Sequence, residues 1–466
     1  MTLKRSKTGG VKNKMNMKLK ELFALIEVNV PEKISEIEFP SHLATDSRDV
    51  ISGGAFVALE GEKTDGHKFI SQAVDNGAAL IIARKGKAPE NISVPVIELE
   101  NPERDLAELA SKKLKAHNLQ EVIAITGSVG KTTTRAALQL VLSEKFKIHA
   151  PERSFNTLIG CTATILAMPL ETEILILEFG ANKPGEIKEL TGYFPPTMSV
   201  LTAVAPVHLE GFGSVEGVLR EKIEITESPL MTSIVFNNDN ELLSDAFKYV
   251  VKSMGVGENK DSDFVISHDT SEYKLPSLSF VIAHRPTQEI ARFTANIWGK
   301  HNAVPLALAA AVGHELGITL QECSDTLKNF KALIGRGRVI VLDENKFLVD
   351  DAYNANPASM RASLETFAKI KMSGKIAVLG EMRELGENAA EFHAELEPLL
   401  ENIEHVILVG NIWNKAMKNH EYIFAEKWQD ALEVLKKIMN ESEWHGILVK
   451  GSNSIGLGNI VKELSE

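Results

Sequence analysis

The chain has 466 residues, enough for about three domains at roughly 150 residues each. Its 51 basic residues against 63 acidic ones leave a formal charge of −12, and 44% hydrophobic with 24% charged residues is ordinary globular composition. These figures exclude a disordered, collagenous or coiled-coil protein. They also argue against a nucleic-acid partner, since a general nucleic-acid binder is normally basic; an anionic ligand in a locally positive pocket stays open.

The two cysteines, Cys161 and Cys323, make neither a disulfide framework nor a metal cluster, and a reducing cytoplasm is the expected setting. No apolar run approaches the ~18 residues of a membrane span, so no membrane insertion is expected.

Residues 1–20 carry seven basic residues and no acid, without the apolar stretch of a secretory signal. Residues 1–16 read as a disordered basic tail, or as an upstream start with the true start at Met15 or Met17. The first domain, 17–99, alternates short strand-like runs (Ala55–Leu59, Ala78–Ala83, Val94–Leu99) with polar turns, as a small mixed α/β domain does.

A second domain, 100–334, opens on a helix-like stretch, Pro102–Ala116, followed by a strand over Val122–Ile125, a Gly-rich loop and a helix over Thr132–Leu142. Apolar strands follow at Ile174–Leu177, Ser199–Val204 and Ser233–Phe236. The polar stretch Gly255–Asp263 reads as a surface excursion, with further strands at Asp263–Ile266 and Leu278–Ile282. Ala303–Gly317 reads as a buried helix ended by Gly317.

The third domain, 335–466, repeats strand and helix: Lys346–Val349, Pro357–Ile370, Lys375–Leu379, Asn388–Leu400, His405–Val409, Trp428–Met439, Ile447–Val449 and Ile455–Leu464. That alternation predicts a parallel sheet of Rossmann type, with ligands at the carboxyl ends of its strands.

The chemistry is densest at Thr126–Thr134, TGSVGKTTT, between a strand and a helix. Glycines let backbone N–H groups approach phosphates, and the helix N-terminus adds positive potential. Lys131 is suited to neutralising terminal phosphates and the Thr132 hydroxyl to ligating Mg²⁺. The spacing is Gly127-x2-Gly130-Lys131-Thr132, because the first glycine of the longer G-x4-G-K pattern would fall on Ile125. The central domain is therefore expected to be of P-loop ATPase type.

Glu178 ends the strand Ile174–Leu177, one crossover away, and is placed to hold Mg²⁺ through carboxylate oxygen. His208 sits in the loop after the next strand. Lys222, inside VLREKIEI, reads on its own as a solvated helix lysine. Arg336, in GRGR at the domain junction, reads either as part of a flexible hinge or as a cation carried onto ATP phosphates. Three polar loops follow strands of the third domain: DDAYNANPASM (350–360), GEMRELG (380–386) and KGSNS (450–454). All three should converge on one crevice.

These motifs together resemble the Mur ligase family, over about residue 17 to 466. Its shorter phosphate loop is usually T-G-[ST]-N-G-K-[ST], with Val129 here in place of Asn. The resemblance implies that Gly127, Ser128, Gly130, Lys131, Thr132, Thr133, Asn302, Arg336 and Asp351 bind ATP. Asn302 lies in GKHNAVPLALAA, where Pro305 replaces a second Asn.

It further implies that Thr132, Glu178, His208 and Lys222 hold two Mg²⁺ ions, the last as a carbamate, with Lys131, Lys222, His208 and Arg336 as the catalytic set. Ser47 and Arg48 (in DSR), with Asn156 and Thr157 (in SFNTLIG), are implied to face the UDP substrate. Tyr353, Asn354, Asn356 and Lys450 are implied to bind substrate in the third domain.

The motifs DAYNANP, GxMxELG and KGS, with no DNPR, match the branch that adds D-alanyl-D-alanine rather than the one that adds a diamino acid. The expected activity is ATP-dependent joining of D-alanyl-D-alanine to UDP-N-acetylmuramoyl-tripeptide through an acyl phosphate. The enzyme is expected to be a monomer in the bacterial cytoplasm. A non-catalytic nucleotide-binding module is disfavoured because Lys131, Thr132, Glu178, His208 and Lys222 are all present.

Overall fold

The computed structural model describes residues 17–61, 64–268, 278–417 and 421–465; the expected tail, 1–16, lies outside them. The described residues form two compact units, one within 17–120 with 151–175 and the other within 121–150 with 176–465.

The first unit holds a parallel four-stranded sheet in the order β1 (Leu43–Ala44), β2 (Ala55–Val57), β3 (Leu80–Arg84), β4 (Val96–Leu99). Phe56, Ile70, Ile81 and Ala83 form its core. The helix Pro102–Ala116 packs on the helix Leu158–Ala167, so this unit extends past the expected limit at residue 99. Asn101 caps the first of these helices by accepting from Arg104 N, and Pro102 occupies its first turn, where no N–H is needed.

The second unit carries two sheets. Its larger sheet is built from β5 (Glu121–Thr126), β6 (Ile148–His149), β7 (Ile174–Glu178), β8 (Met198–Leu201), β9 (Ser233–Asn237), β10 (Ser253–Gly257), β11 (Phe264–His268), β12 (Leu278–His284) and β13 (Glu289–Ala295). Their order is β13-β12-β11-β10-β9-β8-β5-β7-β6. The run from β5 through β8, β9 and β10 to β11 is parallel, and β11, β12 and β13 form an antiparallel edge.

The smaller sheet comprises β14 (Arg338–Asp343), β15 (Lys346–Asp351), β16 (Lys375–Gly380), β17 (His405–Val409), β18 (Ile423–Ala425) and β19 (Gly446–Lys450), in the order β14-β15-β19-β16-β17-β18. It is parallel except for β14, which closes its edge against β15. Apolar clusters cover both faces, one around Met360, Phe367 and Trp413, the other around Leu435, Trp444 and Ile460.

The expected three-domain α/β architecture is present, with local differences. Gly255–Gly257 is not a surface excursion but part of β10. A Cβ on Gly255 would lie 3.1 Å from Asn238 Cβ, and one on Gly257 would lie 2.5 Å from Asp239 Oδ1. These glycines make room for side chains of the turn after β9.

The stretch Asn388–Leu400 is two short helices, Ala389–Ala394 and Glu397–Leu400, with Pro398 in the first turn of the second. The last helix begins at Gly458, not Ile455. Gly317 ends the helix Ala303–Glu315 in the left-handed conformation, φ +81°, as expected.

Candidate active site

Register sets the geometry. Thr126 pairs with Leu201, so the loops leaving β5 and β8 start side by side. Ser128 N donates to Ala203 O at 2.8 Å, Ser128 Oγ donates to Ala205 O at 3.1 Å, and Ala205 N donates back to Ser128 Oγ at 3.0 Å. Thr202 Oγ1 donates to Val129 O at 2.5 Å. Gly127 has φ +141°, and a Cβ there would sit 2.1 Å from Thr202 Oγ1. The loop is thus moulded on the neighbouring strand end, and only glycine fits at 127.

The helix Lys131–Leu142 starts where the loop ends. Lys131 Nζ donates to Gly127 O at 2.5 Å. Burial lowers its pKa to about 8; Glu178 works against that shift and Arg336 with it. Thr132 Oγ1 donates to Glu178 Oε2 at 3.2 Å, and Arg135 Nε donates to Glu178 Oε1 at 2.6 Å. Glu178 is fully buried. A hydroxyl and a carboxylate at this spacing, beside a phosphate loop, are the hard-oxygen donors that suit Mg²⁺.

His208 and Lys222 lie beyond this pair. His208 has a left-handed backbone, φ +50°, and begins the helical turn Leu209–Phe212. Its ring pairs through Nδ1 with Glu384 of the GEMRELG loop. Burial lowers the His208 pKa, Glu384 opposes, and Lys222 and Lys131 add to the lowering.

Lys222 is not the solvated lysine that its helix alone suggests. It is 2% exposed, and burial, with Lys131, brings its amine to about 7. The adjacent Glu221 does not pair it off: its carboxylate accepts Gly185 N and Ile187 N, both at 2.7 Å. A buried ammonium is no metal ligand, so Lys222 fits a cation only after conversion to an oxygen donor.

A cavity of about 280 Å³ collects most of the expected nucleotide residues: Ser128, Gly130, Thr133, Asn302, Arg336 and Asp351. Asn354, Asn356 and Lys450, expected to face substrate, line the same cavity, as do Thr202, His301 and Pro305. Pro305, in place of the second Asn, sits in the first turn of the helix Ala303–Glu315.

Asn302 Nδ2 donates to Trp298 O at 2.7 Å. Burial holds the neighbouring His301 down to about 4, so its ring is neutral at pH 7. Arg336 stacks on Tyr353, 4.1 Å from the ring centroid. The GRGR segment is a shaped turn rather than a free hinge: Gly335 and Gly337 have φ +72° and +75°, and Gly335 N donates to Asp350 Oδ2 at 2.9 Å.

In the smaller sheet Asp351 and Leu379 both pair with Lys450, which brings the three polar loops to one end as expected. Lys450 Nζ donates to Asp351 Oδ2 at 2.8 Å and to Asn354 O at 3.1 Å, and Ser363 Oγ donates to Asp351 Oδ2 at 2.6 Å. Asn356 caps the helix Pro357–Lys369 by accepting from Ser359 N at 2.9 Å.

Ser47, Arg48, Asn156 and Thr157 lie in the first compact unit. Ser47 Oγ donates to Gln72 Oε1 at 2.9 Å, and the exposed Arg48 pairs with Asp46, whose carboxyl that contact lowers to about 2. Asn156 is half-buried, and Thr157 caps the helix Leu158–Ala167.

Sequence reasoning did not single out Thr202, Arg135 or Glu384. Thr202 carried a usable signal, since it follows the strand beside the phosphate loop.

Comparison with known proteins gives a consistent picture. Models described as Mur ligase family, catalytic domain; Mur ligase middle domain; and Mur ligase, glutamate ligase domain match residues 41–124, 125–313 and 335–453. A Bacillus subtilis protein named UDP-N-acetylmuramoyl-tripeptide–D-alanyl-D-alanine ligase is 31% identical over 438 residues, 91% of this chain and 93% of its own. The Escherichia coli protein of the same name is also 31% identical, with the same coverage of both chains.

Among solved structures, MurF from Acinetobacter baumannii aligns with TM-score 0.82 at 26% identity, covering 98% of this chain and all of its own. MurF ligase from Thermotoga maritima in complex with ADP aligns with TM-score 0.77 at 28% identity, covering 91% of this chain and 97% of its own.

Proposed function

The chain belongs to the Mur ligase family, and from that premise we infer that it joins D-alanyl-D-alanine to UDP-N-acetylmuramoyl-tripeptide using ATP. The observation that carries this is the shared cavity. The phosphate loop, Arg336 and the Asp351–Lys450 pair meet in one place, and the NANP motif, with no DNPR in the chain, belongs to the branch that takes D-alanyl-D-alanine.

The chemistry sets the order of events. A carboxylate is a poor acyl donor, so ATP first phosphorylates the terminal carboxylate of the tripeptide. The amine of D-alanyl-D-alanine then attacks the acyl phosphate, giving amide, ADP and phosphate. Phosphoryl transfer is mostly positioning and electrostatics. The loop amides from Gly127 to Lys131 cradle the phosphates, Lys131 and Arg336 offset their charge, and Asn302 and His301 form the wall at the adenine end. Mg²⁺, when bound, would supply further positive charge at the phosphates, held by Thr132 and Glu178 and by His208 with Lys222.

Carbamylation of Lys222 is part of this reading. An amine brought to about 7 is free of its proton in about half of the molecules near pH 7, and adding CO₂, with loss of one N–H proton, turns it into the oxygen donor a cation needs. Ser47, Arg48, Asn156 and Thr157 are assigned to the UDP end, and Tyr353, Asn354, Asn356 and Lys450 to the dipeptide. The enzyme is read as a monomer. Cys161 and Cys323 are both buried thiols, which supports a reducing cytoplasm.

Purified protein tests the reading directly. Phosphate release should require ATP, the UDP-tripeptide and D-alanyl-D-alanine together. Release that ignores the dipeptide, or that answers instead to a diamino acid, rejects it.

A further inference from the structure

The GEMRELG loop contributes one side chain that the proposed reaction leaves unexplained. Glu384 reaches from the smaller sheet of the second unit to His208 on the larger one and pairs with its Nδ1. Both residues have left-handed backbones, φ +64° for Glu384 and +50° for His208. Neither is glycine, and each such conformation costs energy. The pair does not offset that cost, because the two side chains are 33% and 60% exposed and an ion pair so open contributes little. The surroundings hold the geometry instead.

On one side Met382 N donates to His393 Nε2 and Arg383 N to Ser452 Oγ, both at 3.0 Å, and Leu385 is buried, so Glu384 stands on a pinned turn. On the other, Gly211 N donates to His208 O at 2.9 Å, and a Cβ on Gly211 would fall 2.1 Å from Asn182 O. The His208 turn is therefore seated on the loop that follows Glu178.

A carboxylate only accepts, so the hydrogen of the pair sits on His208 Nδ1, which leaves Nε2 as the nitrogen a cation would take. That arrangement fixes the ring tautomer and orientation of a metal-binding histidine. We propose that Glu384 is a positioning residue that orients His208 as a divalent-cation ligand, so that the second cation site is complete only when the smaller sheet's loop is docked on the larger one. The proposal rests on the reading of His208 as a ligand. It gives the GxMxELG segment a role of its own: an undocked arrangement would lack an ordered site, and ATP would not be spent without the dipeptide domain in place.

The test uses the full-length protein with a non-hydrolysable ATP analogue and Mn²⁺, followed by electron paramagnetic resonance. Wild type should bind two ions. Glu384→Gly keeps a residue at ease with φ +64°, so its unfolding midpoint should not fall, yet the second ion should bind about tenfold or more weakly. Glu384→Gln, still able to accept the N–H, should retain more affinity than Glu384→Gly. His208→Ala should lose the same ion, and adding Glu384→Gly to it should change nothing further.

Two ions bound at wild-type affinity in Glu384→Gly, with one lost in His208→Ala, would overturn the proposal and leave the ligand reading intact. A single ion in wild type, unaffected by His208→Ala, would overturn both.

Discussion

Arg135 Nε lies 2.6 Å from Glu178 Oε1, and the two side chains are 5% and 0% exposed. The guanidinium comes from the helix behind the phosphate loop and the carboxylate from the end of β7, so one buried pair ties the ATP loop to the expected cation site. Removing one partner of such a pair leaves a buried charge without its counterpart, at about 3–5 kcal/mol. Arg135→Met should lower the urea midpoint clearly, and combining it with Glu178→Gln should recover part of the loss. Activity should vanish in both. A single variant as stable as wild type would show that the pair does not hold the site together.

Thr202 fills the space that a side chain at residue 127 would need, and its hydroxyl satisfies the Val129 carbonyl. Thr202→Val keeps the volume and removes the donor, at about 1–3 kcal/mol. ADP should then bind roughly tenfold more weakly, while Thr202→Ser stays near wild type. Calorimetry with ADP decides, and equal affinity in the Val and Ser variants would rule out the hydroxyl's part. Gly127→Ala, whose Cβ would lie 2.1 Å from Thr202 Oγ1, should bind no measurable ADP.

Much of this site could be read in the chain because its signals are local. A strand running into Gly127, Gly130, Lys131 and Thr132 specifies a phosphate loop without reference to the rest of the molecule. Glu178 stands out as the acid that ends an apolar strand, His208 as a histidine in the loop after the next one, and the three polar loops of the last domain by their place after strands.

What escaped depends on strand order. Thr202 matters because β8 adjoins β5, and Arg135 because its side chain reaches the carboxylate that ends β7. Lys222 looks solvated in its own helix and is buried by others. The glycines of β10 weakened its strand signal, yet they are there to admit Asn238 and Asp239. Ser47, Thr157 and Asn356, singled out for substrate, also make hydrogen bonds to nearby residues, which motif spacing does not reveal.

Lys113 gives a pH signature unrelated to the chemistry. It is 5% exposed and donates to Leu166 O at 2.7 Å and Met168 O at 2.9 Å, at the end of the helix Leu158–Ala167. Burial lowers its pKa from 10.5 to about 8. Between those values the unfolded chain binds more protons than the folded one, so stability rises with pH. Below about 8 both forms are protonated and the full cost of burying the ammonium is present. Relative to Lys113→Met, wild type should gain up to about 3 kcal/mol between pH 8 and 10.5. Denaturation of both proteins across that range measures it, and a difference independent of pH would contradict the burial argument.

Lys222 offers the sharpest test of the metal chemistry. Its amine is buried and stands 5.7 Å from the Phe212 ring centroid, while the carboxylate of the adjacent Glu221 accepts from Gly185 N and Ile187 N. If its role is to become a carbamate, what the site needs there is an oxygen anion rather than a lysine. Lys222→Ala should lose activity on the order of 10²–10³-fold, the scale of removing a preorganised electrostatic group. It should also leave a space that a small carboxylate can enter. Formate or acetate should then restore part of the rate in a saturable way, while leaving wild type unchanged. Chloride at the same ionic strength controls for salt. A Lys222→Ala protein with full activity, or one equally unresponsive to carboxylate and chloride, would remove the carbamate from the mechanism.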